Sequence, residues 1–336
     1  MRRLWSAAVE LLGRREPADG LALFRIAVGL CMLYSIGSMA AAGLDQVFWV
    51  DAADGGMLEL RSGDHWLIRA LGGPRAPVIG ALVPLGLLLA LLVTVGAGGR
   101  VVLLIAGQVY QAIVRSDPTI IGGYDLLIGN ALWILFLAGA TATLSVDARL
   151  RRGSWRPAVE IAAWPRYLLI LQILAVYTTT GLSKLGVPWT PAGGFSALYW
   201  VFQEPTWRRF DMGWTAAAPA VLVLQVATAL TWIWEISAIF LLLFYYYRAT
   251  PARPGRLRAL CVRRDLRLGF VAIGVALHLS ILLTLNVGPF SWISVAYYLN
   301  LFHPDELRAL ARRRPLRAGG EDPAHMDSIP GGRDPR

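Results

Sequence analysis

The sequence predicts an all-α integral membrane protein, a polytopic bundle of about eight transmembrane helices with both termini in the cytoplasm. Three observations predict it. Of the 336 residues 56% are hydrophobic and 16% charged, where soluble domains carry about a quarter charged residues. Apolar stretches of roughly 20 residues, the length that crosses about 30 Å of hydrocarbon, recur along the chain. The net charge of +10 is concentrated between alternate stretches rather than spread evenly, which is the signature of topology and not of a nucleic-acid partner.

The spans run in order over about 21–42, 76–95, 100–114, 121–140, 166–185, 218–247, 268–287 and 289–302. The third and eighth are short, and as tilted, re-entrant or interfacial segments they leave seven spans as the alternative to eight. Basic residues cluster at Arg2, Arg3, Arg14 and Arg15, in "DARLRRGSWRPA" (147–158), in "RATPARPGRLRALCVRRDLR" (248–267) and in "RALARRRPLR" (308–317). With eight spans all four clusters fall on one side. The segments 43–75, where Asp45, Asp51, Asp54, Glu59 and Asp64 offset Arg61, Arg69 and Arg75, and 186–217 fall on the other. The arginine bias therefore places both termini in the cytoplasm. Even parity follows and favours eight spans, and the expected location is a cell membrane.

Residues 1–16 read as a cytoplasmic amphipathic N-terminus, 17–305 as the transmembrane domain and 306–336 as a basic, then disordered, cytoplasmic tail. The first apolar run is longer than the core of a secretory signal, although "SMAAAG" (38–43) has the small residues of a cleavage site. Cys31 and Cys261 are too far apart in this topology to form a disulfide. No spaced set of metal ligands occurs, and no metal is expected.

Ionisable side chains inside a span are costly, so each is a functional candidate. Arg25 lies about a turn into the first span, where its guanidinium is expected to snorkel to the inner interface. Asp125 lies about a turn below the outer surface and Lys184 at the outer end of the fifth span. Glu235, in "LTWIWEISAIF", and His278, in "GVALHLSILL", fall near the midplane, where each must pair, face a cavity or be held neutral. Pairing that only braces helices is as good an account of these two as function.

Lys184 is the only lysine in a chain that is otherwise basic through arginine. It could be an interfacial anchor, but arginine anchors the other span ends, and its neighbours "TTTGLS" are small enough to admit a ligand. The run that follows, 187–214, carries eight aromatic residues, Trp189 and Tyr199 among them. Such density suits the outer headgroup layer, or a roof over a flat lipophilic molecule. Burial can bring a lysine amine into the range where it acts as base or nucleophile, and arginine stays protonated.

The segments "LALFRIAVGLCMLYSI" (21–36), "RSDPTIIGGYDLLIGNALWILFLAGATATLSVD" (115–147), "YTTTGLSKLGVPWTPAGGFSALYWVFQ" (177–203), "TWIWEISAIFLLL" (231–243) and "RLGFVAIGVALHLSILLTLNVGPFSWISVAYYLNLF" (267–302) resemble the HTTM family. That is the horizontally transferred transmembrane domain, shared with the membrane part of vitamin K-dependent gamma-glutamyl carboxylase. The resemblance implies a reduced quinone, similar to vitamin K hydroquinone, as cofactor, with Lys184 as the base that deprotonates it. It implies Asp125 or Tyr124 as an orienting or proton-sharing group, at the place where the carboxylase carries a histidine. Trp189, Tyr199, Glu235 and His278 are then expected to line the ligand cavity or brace it. After residue 305 the sequence offers a short tail in place of the carboxylase's extracytoplasmic domain, so carboxylation of protein glutamates is not expected. Small bacterial members of the group are linked to maturation or export of secreted peptides. A non-catalytic role with a secreted peptide as partner is therefore the second reading. A transporter with Glu235 and His278 as proton relay is the third and weakest, since no repeat symmetry is visible.

Overall fold

The computed structural model describes residues 9–58, 65–250 and 254–312. Among them are helical segments at the eight expected positions: α1 (Asp19–Ala41), α2 (Ala76–Val95), α3 (Gly99–Val114), α4 (Gly123–Ala138), α5 (Trp164–Ser183), α6 (Ala218–Ala249), α7 (Leu266–Thr284) and α8 (Phe290–Tyr298). By length and composition α1, α2, α6 and α7 can each cross a membrane. The helices α3 and α4 are apolar but shorter. The last segment, α8, is a short helix continued by a 3₁₀ turn to Leu301.

Apolar side chains on both sides of most helices leave packing to be decided by close fit rather than by polarity. On α1 the row Phe24, Val28, Met32 and Ile36 is fully buried, at the four-residue spacing of one helix face. Gly29 opens that face to α2: a Cβ there would sit 2.3 Å from Thr94 Oγ1 and 2.7 Å from Thr94 N. Tyr110 on α3 and Tyr297 on α8 close the core, Tyr297 edge-on to Phe24 at 4.9 Å. By contrast α6 and α7 turn most of their apolar surface outward, as in Leu222, Val226, Ile233, Leu268 and Leu279, which is the surface hydrocarbon would cover.

One end of the bundle is tied by arginines. Arg166 at the start of α5 bonds both oxygens of Glu16, at 3.1 and 2.9 Å. Arg308 meets Asp19 at 2.5 Å, and Arg267 bridges Asp265 and Glu306. Side-chain hydrogen bonds from Arg267 hold the Asp265 and Glu306 carboxyls below the usual range. Two short strands join the same end, Arg15–Pro17 pairing antiparallel with Glu160–Ala162. They are too brief to be legible in the sequence and convert part of the expected N-terminal amphipathic segment into an edge. Residues 1–8 and 313–336, which include most of the tail, lie outside the described residues.

Arg25 departs from expectation. It does not snorkel: the side chain is fully buried, and its guanidinium donates to the carbonyls of Val93 (2.5 Å), Thr94 (2.9 Å) and Leu144 (2.6 Å). The last carbonyls of α2 lack the next turn's amides, Val93 keeping only a 3.2 Å bond from the Gly96 N–H of the cap, so a buried cation there adds donors and complements the helix dipole. Cys31 and Cys261 are both free and buried.

Candidate functional site

Lys184 directly follows α5, and its N–H bonds back to the Gly181 carbonyl at 3.3 Å. The small residues before it let α6 approach closely. A Cβ on Gly181 would lie 2.8 Å from Ile236 N and 2.9 Å from Glu235 Cβ. The crossing is fixed by two hydrogen bonds: the Trp232 indole donates to the Gly181 carbonyl at 3.1 Å, and Ile239 N–H donates to the Thr178 hydroxyl at 3.0 Å, where α6 tightens into a 3₁₀ turn.

This crossing aims Glu235 at Lys184. The ammonium Nζ lies 2.5 Å from both carboxylate oxygens, and it stands 4.6 Å from the ring centroid of Trp189. The lysine side chain is 21% exposed and the glutamate 8%. Two charges this far out of water are tolerated because each supplies what the other lost, and removing either strands its partner. The indole face adds cation–π attraction. Chemically the pair is a donor and an acceptor already in contact. Moving one proton from Nζ to Glu235 leaves a neutral amine beside a neutral acid, with no net charge created; a guanidinium would not make that transfer.

Asp125 belongs to a different place. In the first turn of α4 its Oδ2 accepts the Gly122 N–H at 2.8 Å, and its Oδ1 accepts the Tyr110 hydroxyl at 2.5 Å. The Tyr110 oxygen is also 3.2 Å from Ser35 Oγ. Beside them lies a cavity of about 160 Å³, lined by Ser35, Met39, Phe48, Trp49, Tyr124 and Asp125 among others. Among the described residues, the buried Trp49 indole N–H has no hydrogen-bond partner. Among the described residues, no hydrogen bond, ion pair or ring contact joins Asp125 or Tyr124 to Lys184. The expectation that one of them orients the lysine is therefore not met by the geometry, because α4 packs on α3 and α1 at that level while α6 meets the end of α5.

His278 is enclosed as well. Its Nε2 lies 2.8 Å from the Tyr177 hydroxyl, which is 2.7 Å from that of Tyr298. Trp234 stacks on Phe270 at 4.7 Å and tilts against Tyr177 at 4.7 Å, which seals this polar group inside rings. Tyr199 packs edge-on against Trp200 at 5.0 Å, and among the described residues no hydrogen bond, ion pair or ring contact joins it to Lys184. Of the residues named from the sequence, the structure unites Lys184, Trp189 and Glu235. Asp125 with Tyr124, and Tyr199, lie at two other places, and the His278 network adjoins Glu235 on the inner side, through Tyr177 and Tyr298. Sequence reasoning missed the Lys184–Glu235 pairing, although a signal existed: opposite charges on consecutive spans, with small residues at the crossing. It also missed Tyr110, Tyr177 and Tyr298, since a tyrosine in an apolar helix reads as core. Among the described residues, no three His, Cys, Asp or Glu side chains come together in a way that would hold a metal.

The HTTM domain model matches residues 14–252. The chain belongs to the HTTM family. The HTTM match takes in α1 to α6, and with them Lys184, Trp189, Glu235 and the Asp125 cavity; His278 and Tyr298 lie beyond it but pack into it. No match was found among curated proteins or among solved structures.

Proposed function

We propose that this HTTM-family membrane protein performs carboxylase- or epoxidase-like proton chemistry on a lipophilic, quinone-type ligand, with Lys184 as the base and Glu235 as its proton partner. The observation that carries the reading is the ammonium of the only lysine, held between a buried carboxylate and an indole face. Glu235 fixes where Nζ stands and can accept its proton at a carboxylate oxygen. Trp189 offers a flat apolar face beside that nitrogen, and Trp189, not Tyr199 or His278, is the ring proposed to contact the ligand. The exposed apolar side chains of Leu182, Leu185 and Val187 flank Lys184 in the chain, which suits a ligand arriving sideways from hydrocarbon. These residues fit a reduced quinone, which when bound supplies reducing electrons and an acidic hydroxyl. The site is proposed to open on the extracytoplasmic side of a cell membrane, opposite the arginine-tied end.

A second reading has its own support. Trp200, Trp207, Phe210 and Trp214 are all about half exposed or more, a surface that suits a secreted peptide bound without catalysis. Binding separates the two. Purified protein in nanodiscs is expected to bind radiolabelled menaquinone saturably, with Trp189→Ala weakening binding and Asp125→Asn leaving it unchanged. Absence of saturable binding to both oxidised and reduced quinone would sink the quinone reading.

A further inference from the structure

At the arginine-tied end, α6 stops at Ala249 and α7 begins at Leu266. Between them lies a short helix, Arg256–Arg263. Its two sides differ in a way that a helix facing only water would not show. One side is anchored: Cys261 is buried, and the Arg258 guanidinium lies over the rings of Tyr247 at 5.0 Å and Tyr246 at 5.8 Å. The other side presents Leu257 (66% exposed) and Leu260, with the exposed Leu266 and Leu268 following on the next helix. Arg256, Arg263 and Arg264 are interleaved with these and exposed. None of the three has an acidic partner among the described residues. The neighbouring acid, Asp265, is engaged by Arg267 and Arg248.

Apolar and cationic groups alternate here at the level where two helices able to span a membrane leave it. Leucines at that level suit the acyl boundary, and arginines suit the phosphates just above. We propose that Arg256–Arg264 is a docking surface for anionic phospholipid, with Leu257 and Leu260 seated among the acyl chains and Arg256, Arg263 and Arg264 on headgroup phosphates. Charge selects the partner: a zwitterionic headgroup carries its own cation and leaves three arginines facing a neutral surface, and an anionic headgroup balances them. Lipid held there would join the ends of α6 and α7, the helices least covered by the rest of the protein.

The test uses the full chain purified in a neutral detergent, with thermal unfolding followed on adding phosphatidylglycerol or phosphatidylcholine of the same acyl length. Phosphatidylglycerol is expected to raise the melting temperature more than phosphatidylcholine. In the triple variant R256Q/R263Q/R264Q that difference is expected to vanish, while the melting temperature without lipid stays put. The apparent affinity for phosphatidylglycerol should fall about fivefold for each arginine removed. The control R152Q/R156Q, at the same end, should keep the full difference. Equal effects of the two lipids on the wild type would overturn the proposal, as would a difference that survives in the triple variant. An equal rise with inorganic phosphate alone would also overturn it, by showing a site for a soluble anion.

Discussion

Asp125 and Glu235 are both acids buried in helices, and their oxygens are satisfied in opposite ways. Asp125 is held by neutral donors, the Gly122 amide at 2.8 Å and the Tyr110 hydroxyl at 2.5 Å. One of these comes from its own helix turn, where an acid is favoured by the dipole as well. Glu235 is held by a cation from another helix, at 2.5 Å from each oxygen. The first arrangement closes a helix end and works without a partner charge. The second exists only because α5 and α6 cross at Gly181, and it places a transferable proton between two groups near a partly open edge. Burial alone therefore does not distinguish the two acids; the identity of the donor does.

The strongest way to break this contrast is to remove one charge from each site. Lys184→Met leaves Glu235 buried without its cation and is expected to cost about 3–5 kcal/mol. Lys184→Met with Glu235→Gln should recover most of that loss, read as the coupling in a double-mutant cycle of thermal or denaturant unfolding. If the single and double variants unfold alike, the pair is not coupled. Gly181→Ala attacks the crossing instead. A Cβ 2.8 Å from Ile236 N has to push α6 away, at an expected cost of about 1–3 kcal/mol. The same variant should make Lys184 react faster with an amine-directed reagent, a clean readout where lysine occurs once in the chain.

At Asp125 the effect should be smaller. Asn in its place keeps an acceptor for Tyr110 but can set its amide against the Gly122 N–H, for about 1–2 kcal/mol. Tyr110→Phe should cost about as much, since it leaves one acceptor unmet. A loss at Asp125→Asn as large as that at Lys184→Met would erase the distinction. The smallest effect concerns acids at the arginine-tied end. Asp265 and Glu306 are held below the usual carboxyl range by hydrogen bonds from Arg267. Depressed carboxyls give stability that is present above their unfolded value and lost as pH falls through the folded one. The melting temperature should therefore drop by a few degrees below about pH 4. Arg267→Gln should flatten that part of the profile.

Much of the fold was legible because hydropathy and span length act locally: every long helix begins and ends within a few residues of where the apolar runs do. The strand pair at Arg15–Pro17 was not, since its partner is far along the chain and neither strand is long enough to show alternation. Arg25 was misplaced for a related reason. From sequence, a guanidinium a turn inside a span has water as its nearest partner; in the fold the last carbonyls of α2 are nearer. Lys184 stood out by its rarity, and Trp189 by the aromatic run around it. Glu235 was visible as a costly charge without its partner, because a side chain's depth along a helix says nothing of which neighbour it faces. The grouping of Asp125 and Tyr124 with Lys184 came from resemblance and not from spacing, and packing of α4 against α3 separates them.

The most direct test of the central claim is Lys184→Arg, assayed in liposomes for oxygen-dependent conversion of vitamin K hydroquinone to its epoxide. Arginine can keep the bond to Glu235 and the contact with Trp189, so the fold should survive with a melting temperature close to that of the wild type. It cannot give up its proton, so conversion should fall by about 10²-fold or more, the range of a lost general base. A Lys184→Arg protein that folds and converts the hydroquinone at the wild-type rate would contradict the account, and would leave the Lys184–Glu235 pair as a brace between two helices.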